Sequence, residues 1–145
     1  MMFLEVEAIV MGRLLVPFDG SENAKRALQH AIDMAKTSPL IELHIVRAFE
    51  LPTMRDDDSS ILDAKAHHEQ YLSPAIEIAQ AAGVRFTGEI LVGSAAKAVV
   101  DYANRVGCEG IVMGTRGMGA VGNLLLGSIA TKVLHLAKVP VTLVN

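Results

Sequence analysis

The sequence predicts an α/β fold, a doubly wound five-stranded parallel sheet in the order 3-2-1-4-5 with helices on both faces. Two observations carry that prediction. Strand-like and helix-like segments alternate from end to end, and the strand-like segments are near-continuous apolar runs, as in sheets buried on both faces. Composition agrees: 51% of the residues are hydrophobic, but only 4% are aromatic and none is Trp, so Ala, Val, Leu and Ile must fill the core. At 145 residues the chain suffices for one domain, expected over residues 12–145.

The elements follow in order. Residues 1–11 are apolar but carry Glu5 and Glu7 and lack a basic lead, so they make a poor signal peptide. Met11 directly precedes the first strong strand and would serve as a start, so this stretch is an upstream start or an extension. Leu14 to Phe18 reads as a buried strand turning at Asp19 and Gly20, and Ser21 caps a helix. Ala24, Ala27, Leu28, Ala31, Ile32 and Ala35 fall on one face of that helix. Pro39 punctuates, Ile41 to Val46 forms a second strand, and Pro52 to Ser60 a polar, acidic loop. A long helix then runs from Ser60 to Ala82, with Leu72, Ile76 and Ala79 inward, a kink expected at Pro74 and Gly83 as C-cap. Val84 to Val92 is the third strand; Ser94 to Arg105 is a helix burying Ala96, Val99, Val100 and Ala103. Glu109 to Met113, a Gly-rich turn, a helix from Ser128 to Ala137 and a last strand from Val139 to Val144 complete the chain.

Charge and cysteine content exclude several classes. A net charge of −3 leaves no footprint for nucleic acid or an anionic membrane, and no run is long enough to span a bilayer. The acids end at Glu109, whereas Arg116, Lys132 and Lys138 follow it, so the last quarter is locally cationic and suits a bound anion. One cysteine, Cys108, cannot form an internal disulfide and fits a reducing, cytoplasmic compartment as a small buried residue. Asp56, Asp57 and Asp58 read as a solvated loop, since no calcium-ligand pattern surrounds them. His67 and His68 are adjacent on a helix and diverge, which disfavours zinc; His30, His44 and His135 read as packed or surface residues.

The Gly-rich turn carries the function. A doubly wound sheet binds ligands beyond the carboxyl ends of its strands, where the order reverses. In this order the reversal lies between strands one and four, so Asp19 and the turn from Gly114 to Ser128 face each other across one crevice. Gly117, Gly119 and Gly122 spell the dinucleotide fingerprint, but that motif belongs at the first strand–helix turn with an acid about twenty residues later, and no acid follows here. A Walker loop needs Gly-Lys before Ser or Thr, and the chain contains no Gly-Lys pair.

The spacing that survives is Gly114-x2-Gly117-x9-Gly127-Ser128. With Leu15-Val16-Pro17-Phe18-Asp19-Gly20-Ser21 near the start and Val139-Pro140-Val141 near the end, it resembles the ATP-binding universal stress proteins from Gly12 to Asn145. The resemblance implies an adenine-nucleotide-hydrolase-like fold and a site for ATP, with any Mg2+ held largely by the phosphates. Gly114, Gly117 and Gly127 would let backbone approach ribose and triphosphate, and Ser128 and Ile129 would open a helix whose N-terminus favours phosphate. Pro17 and Asp19 would lie against ribose and base, Ile45 would bond adenine through its backbone, Met113 would line the pocket and Arg116 would reach a phosphate. It further implies a regulatory stress-response module rather than an enzyme, a homodimer paired along the strand Val139 to Val144, and no nucleic-acid or membrane partner. The competing reading is a slow ATP hydrolase or adenylating enzyme. Adenylating relatives of the fold use a Ser-Gly-Gly-x-Asp-Ser loop after strand one, and Pro17-Phe18-Asp19-Gly20-Ser21 lacks its paired glycines.

Overall fold

The computed structural model describes residues 12–51, 58–117 and 125–145. The opening segment Met1 to Met11, Asp56 and Asp57 of the acidic loop, and Gly119 and Gly122 lie outside the described residues. Five strands and four helices alternate: β1 (Arg13–Pro17), α1 (Glu22–Ala35), β2 (Glu42–Phe49), α2 (Asp58–Ala82), β3 (Arg85–Val92), α3 (Ala95–Val106), β4 (Gly110–Gly114), α4 (Ser128–Leu136) and β5 (Val141–Val144). The sheet is parallel throughout, in the order β3-β2-β1-β4-β5, as the sequence predicts.

Alternation along each strand divides the core into two layers. Val16, Leu43, Ile45 and Val112 pack beneath α1 and α2, together with Ala27, Leu28, Ile32, Ala75 and Ala79. Leu15, Val46, Ile111 and Met113 pack beneath α3 and α4, against Val99, Tyr102, Ala103 and Val133. The buried face of α1 is mostly alanine, which lets its backbone come close to the sheet. Leu72 and Ala79 are buried in α2 as predicted; Ile76 is only partly buried and lies over Gly88, where a Cβ would sit 2.5 Å from its Cδ1.

Three boundaries differ by two residues or more from the sequence reading: α2 begins at Asp58, inside the stretch read as an acidic loop, and β2 and β5 shift for identifiable physical reasons. β2 continues past Val46 to Phe49 because β3 pairs with it over its whole length, up to Phe49 opposite Val92. β5 begins at Val141 rather than Val139: Pro140 has no N–H for the ladder, and only its carbonyl serves, accepting from Ile111 N at 3.0 Å.

The helix ends near the site are built differently. α1 is capped by its own sequence: Ser21 Oγ accepts from Ala24 N at 3.1 Å, and Asp19 Oδ1 holds Ser21 by accepting from its N–H at 2.9 Å. α4 has Gly127 at its N-cap and no side-chain cap.

Candidate functional site

A cleft of about 350 Å³ opens beyond the carboxyl ends of β1, β2 and β4, within the size range of small-molecule sites. Pro17 and Asp19 enter from β1, Met113 to Gly117 from β4, Val46 to Ala48 from β2, Ala95 and Val99 from α3, and Gly127 to Ala130 from the start of α4. Nine of the residues singled out in the sequence line it together: Pro17, Asp19, Met113, Gly114, Arg116, Gly117, Gly127, Ser128 and Ile129.

Ile45 does not. Its side chain is fully buried in the α1/α2 layer, and the β2 wall of the cleft is formed instead by Val46, Arg47 and Ala48. The cause is the length of β2. Val46 stands level with Pro17, the last residue of β1, and three residues of β2 run on beyond it. The β2 residues that line the cleft are therefore the one to three that follow Ile45.

The glycines of the turn have distinct structural reasons. A Cβ on Gly114 would lie 2.8 Å from Asn23 Cβ and 2.9 Å from its carbonyl carbon, so this glycine is demanded by the close approach of α1 to the end of β4. A Cβ on Gly117 would lie 2.5 Å from Asp19 Oδ2, which places the two halves of the cleft in contact at this point. Gly127 closes the loop: its N–H donates to Thr115 O at 2.7 Å, with Arg116 Cα 3.4 Å from where a Cβ would stand.

The electrostatics favour an anion on the α4 side. The first helical bond of α4 that reaches Gly127 O comes from Thr131 N, so the N–H groups of Ser128, Ile129 and Ala130 precede the hydrogen-bonded ladder. With no side-chain cap, they and the positive end of the helix dipole face the cleft that these residues line. Arg116 lines the same wall, and Asp19 is the one carboxylate among the described lining residues.

Three polar residues at the cleft carry no sequence motif. Asn23, on the buried side of α1, donates from Nδ2 to Thr115 Oγ1 at 3.2 Å. Thr115 also donates its N–H to Val144 O at 3.0 Å, so it ties the loop to β5 as well. Arg47 extends from the β2 wall beneath α2, where Nε donates to His68 Nδ1 at 3.1 Å and the guanidinium lies 4.8 Å from the Tyr71 ring centre. Its Nη1 is buried with no acceptor among the described residues. Asn23 reads in sequence as an ordinary first-turn helix residue, and Arg47 as the polar break that ends an apolar run.

The remaining candidates resolve as structural groups. His44 is buried between Glu42 Oε1 at 2.7 Å and Tyr102 OH at 2.9 Å, with Thr87 Oγ1 also near Nδ1. Burial, reinforced by Glu89, pushes the Tyr102 hydroxyl up to about 12. Burial likewise pushes the Cys108 thiol up to about 11, which removes it as a nucleophile at neutral pH. His67 and His68 have ring centres 5.5 Å apart, His68 stacking on Phe49 at 4.2 Å. Among the described residues no group of three His, Cys, Asp or Glu side chains is placed to hold a metal, and no helix is long and apolar enough to cross a membrane.

Comparison with known proteins finds likeness along nearly the whole chain. A model of the universal stress protein family matches residues 11–145. A universal stress protein of Methanocaldococcus jannaschii is 30% identical over 146 residues, covering 92% of this chain and 81% of the relative. One from Thermus aquaticus is 36% identical over 134 residues, covering 91% and 97%. Among solved structures, the universal stress protein UspA of Lactobacillus plantarum superposes with a TM-score of 0.78 at 22% identity over 93% of this chain and 98% of its own. A universal stress protein of Archaeoglobus fulgidus in complex with dAMP gives 0.68 at 26% identity, over 93% and 98%. A further universal stress protein in complex with cAMP gives 0.72 at 24%, over 92% and 97%.

The Arg47–His68 contact has a pH signature. Burial first, then the Arg47 guanidinium and then His67, lowers the His68 pKa below 6.5. The folded chain thus resists a proton that the unfolded chain accepts near 6.5. The resulting stabilisation is complete above pH 6.5 and is lost as pH falls through the folded value. Imidazole NMR titration is expected to place His68 below 6.5, with Arg47→Met moving it upward. An unmoved His68 in that variant would contradict the contact.

Proposed function

The chain belongs to the universal stress protein family, and from that premise we propose that its cleft binds ATP, as a cytoplasmic, nucleotide-responsive regulatory module for stress resistance. The observation that carries the proposal is the pairing of a glycine-built loop with an uncapped helix N-terminus, directly opposite Asp19. In this reading the triphosphate lies on Gly114, Arg116, Gly117, Gly127 and Ser128, with Ile129 adding a backbone N–H. The ribose meets Asp19, and the base lies between Pro17, Met113 and the Val46 to Ala48 wall. Mg2+, where present, is held by the phosphates. Family members solved with dAMP and with cAMP support an adenine nucleotide as the ligand class.

Residues 12–145 act as one domain in this reading. Binding is its function, and turnover is not. Asp19, the carboxylate on the described cleft wall, accepts from the N–H of Ser21, the N-cap of α1, so it is committed to structure as well as to ligand. Steady-state ATP hydrolysis is accordingly expected below about one turnover per second, the low end of ordinary enzymes.

Val141–Val144 forms one edge of the sheet, and a second copy pairing antiparallel along it would cover that edge. Neither nucleic acid nor membrane belongs among the partners. Light scattering on an eluting size-exclusion peak should give the mass of a dimer; a monomer at micromolar concentration would contradict the pairing. Calorimetry should detect ATP binding to the unaltered chain. Gly117→Val, whose side chain would meet Asp19 Oδ2, should weaken it at least about tenfold, equivalent to ~1.4 kcal/mol, with the circular dichroism spectrum retained. Equal affinity in the two proteins would refute the loop assignment.

A further inference from the structure

The hydrogen bonds around Thr115 form a directed chain. Arg26 Nη2 donates to Asn23 Oδ1, and arginine has no acceptor, so the amide oxygen of Asn23 must face it. That fixes the other end of the amide. Asn23 Nδ2 is left to donate, and it does so to Thr115 Oγ1 at 3.2 Å. The Thr115 hydroxyl therefore acts as acceptor on its α1 side, and its own proton has no acceptor among the described residues. Thr115 is half-buried and lines the cleft, between Gly114 and Arg116 of the loop.

The setting makes this proton a good donor. Each hydrogen bond in a chain polarises the next, and this one begins at a guanidinium whose charge is permanent. Arg26 is itself anchored, since its Nε donates to Asn145 O at 2.8 Å. Asn23 is 7% exposed, so its amide cannot readily exchange these partners for water. The backbone of Thr115 is also pinned at both ends, by Val144 O at 3.0 Å and by Gly127 N at 2.7 Å. A hydroxyl fixed in this way costs little further ordering when it meets a ligand.

We propose that Thr115 is a ligand-binding residue that donates its hydroxyl proton to an anionic phosphate oxygen in the cleft, with Asn23 and Arg26 as the residues that position it. The proposal rests on the nucleotide reading of the cleft and adds to it a side-chain donor at a position that the glycine spacing leaves unspecified.

The test separates the hydroxyl from the fold and from the base. Thr115→Val keeps the shape of the side chain and the backbone bonds but removes the donor; Thr115→Ser keeps the donor. Asn23→Ala keeps the Cβ that packs on Gly114 and removes the amide. Each full-length protein is titrated calorimetrically with ATP and with adenosine, and its thermal midpoint without ligand is recorded. Thr115→Val should lose about tenfold or more in ATP affinity, the worth of one hydrogen bond to a charged group, with adenosine affinity unchanged. Thr115→Ser should bind ATP like the unaltered protein. Asn23→Ala should lose part of the affinity, and adding it to Thr115→Val should cost little more, because the two act in one chain. Equal ATP affinity in Thr115→Val, or equal losses for ATP and adenosine, overturns the assignment while leaving the nucleotide site standing. An unaltered protein that binds neither ligand overturns both.

Discussion

The close approach of α1 to the end of β4 is the constraint on which the rest of the site depends. Asn23 comes so near Gly114 that any side chain there would overlap its backbone carbonyl carbon at 2.9 Å. A protein interior packed at crystal-like density has no slack to absorb such an overlap. The alanine-rich face of α1 makes the approach possible, since Ala24, Ala27 and Ala31 keep the helix axis near the sheet. From this contact follow the Asn23–Thr115 bond, the seating of Asp19 against Gly117, and the direction in which the loop leaves β4.

The two helix N-termini beside the cleft then divide the work. α1 carries a side-chain cap, Ser21, which Asp19 holds in place. α4 begins at glycine without a side-chain cap, so its first N–H groups, unpaired among the described residues, make that end of the cleft attractive to negative charge. The absence of Asp and Glu after Glu109 leaves nothing acidic in the last quarter of the chain to oppose this field. In the proposed reading, phosphate recognition needs no lysine at the loop, because backbone donors and a helix end supply the positive potential.

Much of this was legible in the sequence because it is written in patterns with fixed periods. Continuous apolar strands announced a covered parallel sheet, and the helical spacing from Ala24 to Ala35 named the buried face of α1 correctly. Glycine spacing located Gly114, Gly117, Gly127 and Ser128 of the cleft, since a glycine required by backbone proximity is visible as a residue type, and the family resemblance supplied the other five. What escaped depends on relations between distant segments. The position of Ile45 relative to the cleft is set by how far β2 outruns β1, which pairing with β3 decides. Arg47 breaks an apolar run and so reads as a strand end, although it is held beneath α2 by His68 and Tyr71. Asn23 and Thr115 lie 92 positions apart and have no local signature. Only the fold makes them partners.

In the proposed complex a phosphate-bearing ligand rests on the Gly114–Gly127 loop and the start of α4, across from Asp19. Backbone amide NMR during an ATP titration tests it most directly, because the proposed contacts are themselves largely N–H groups. Saturable shifts are expected at Gly117, Ser128, Ile129 and Asp19, with the amides of α2 and β3 on the far side of β2 little affected. Shifts centred elsewhere, or a spectrum unchanged by millimolar ATP, would contradict it.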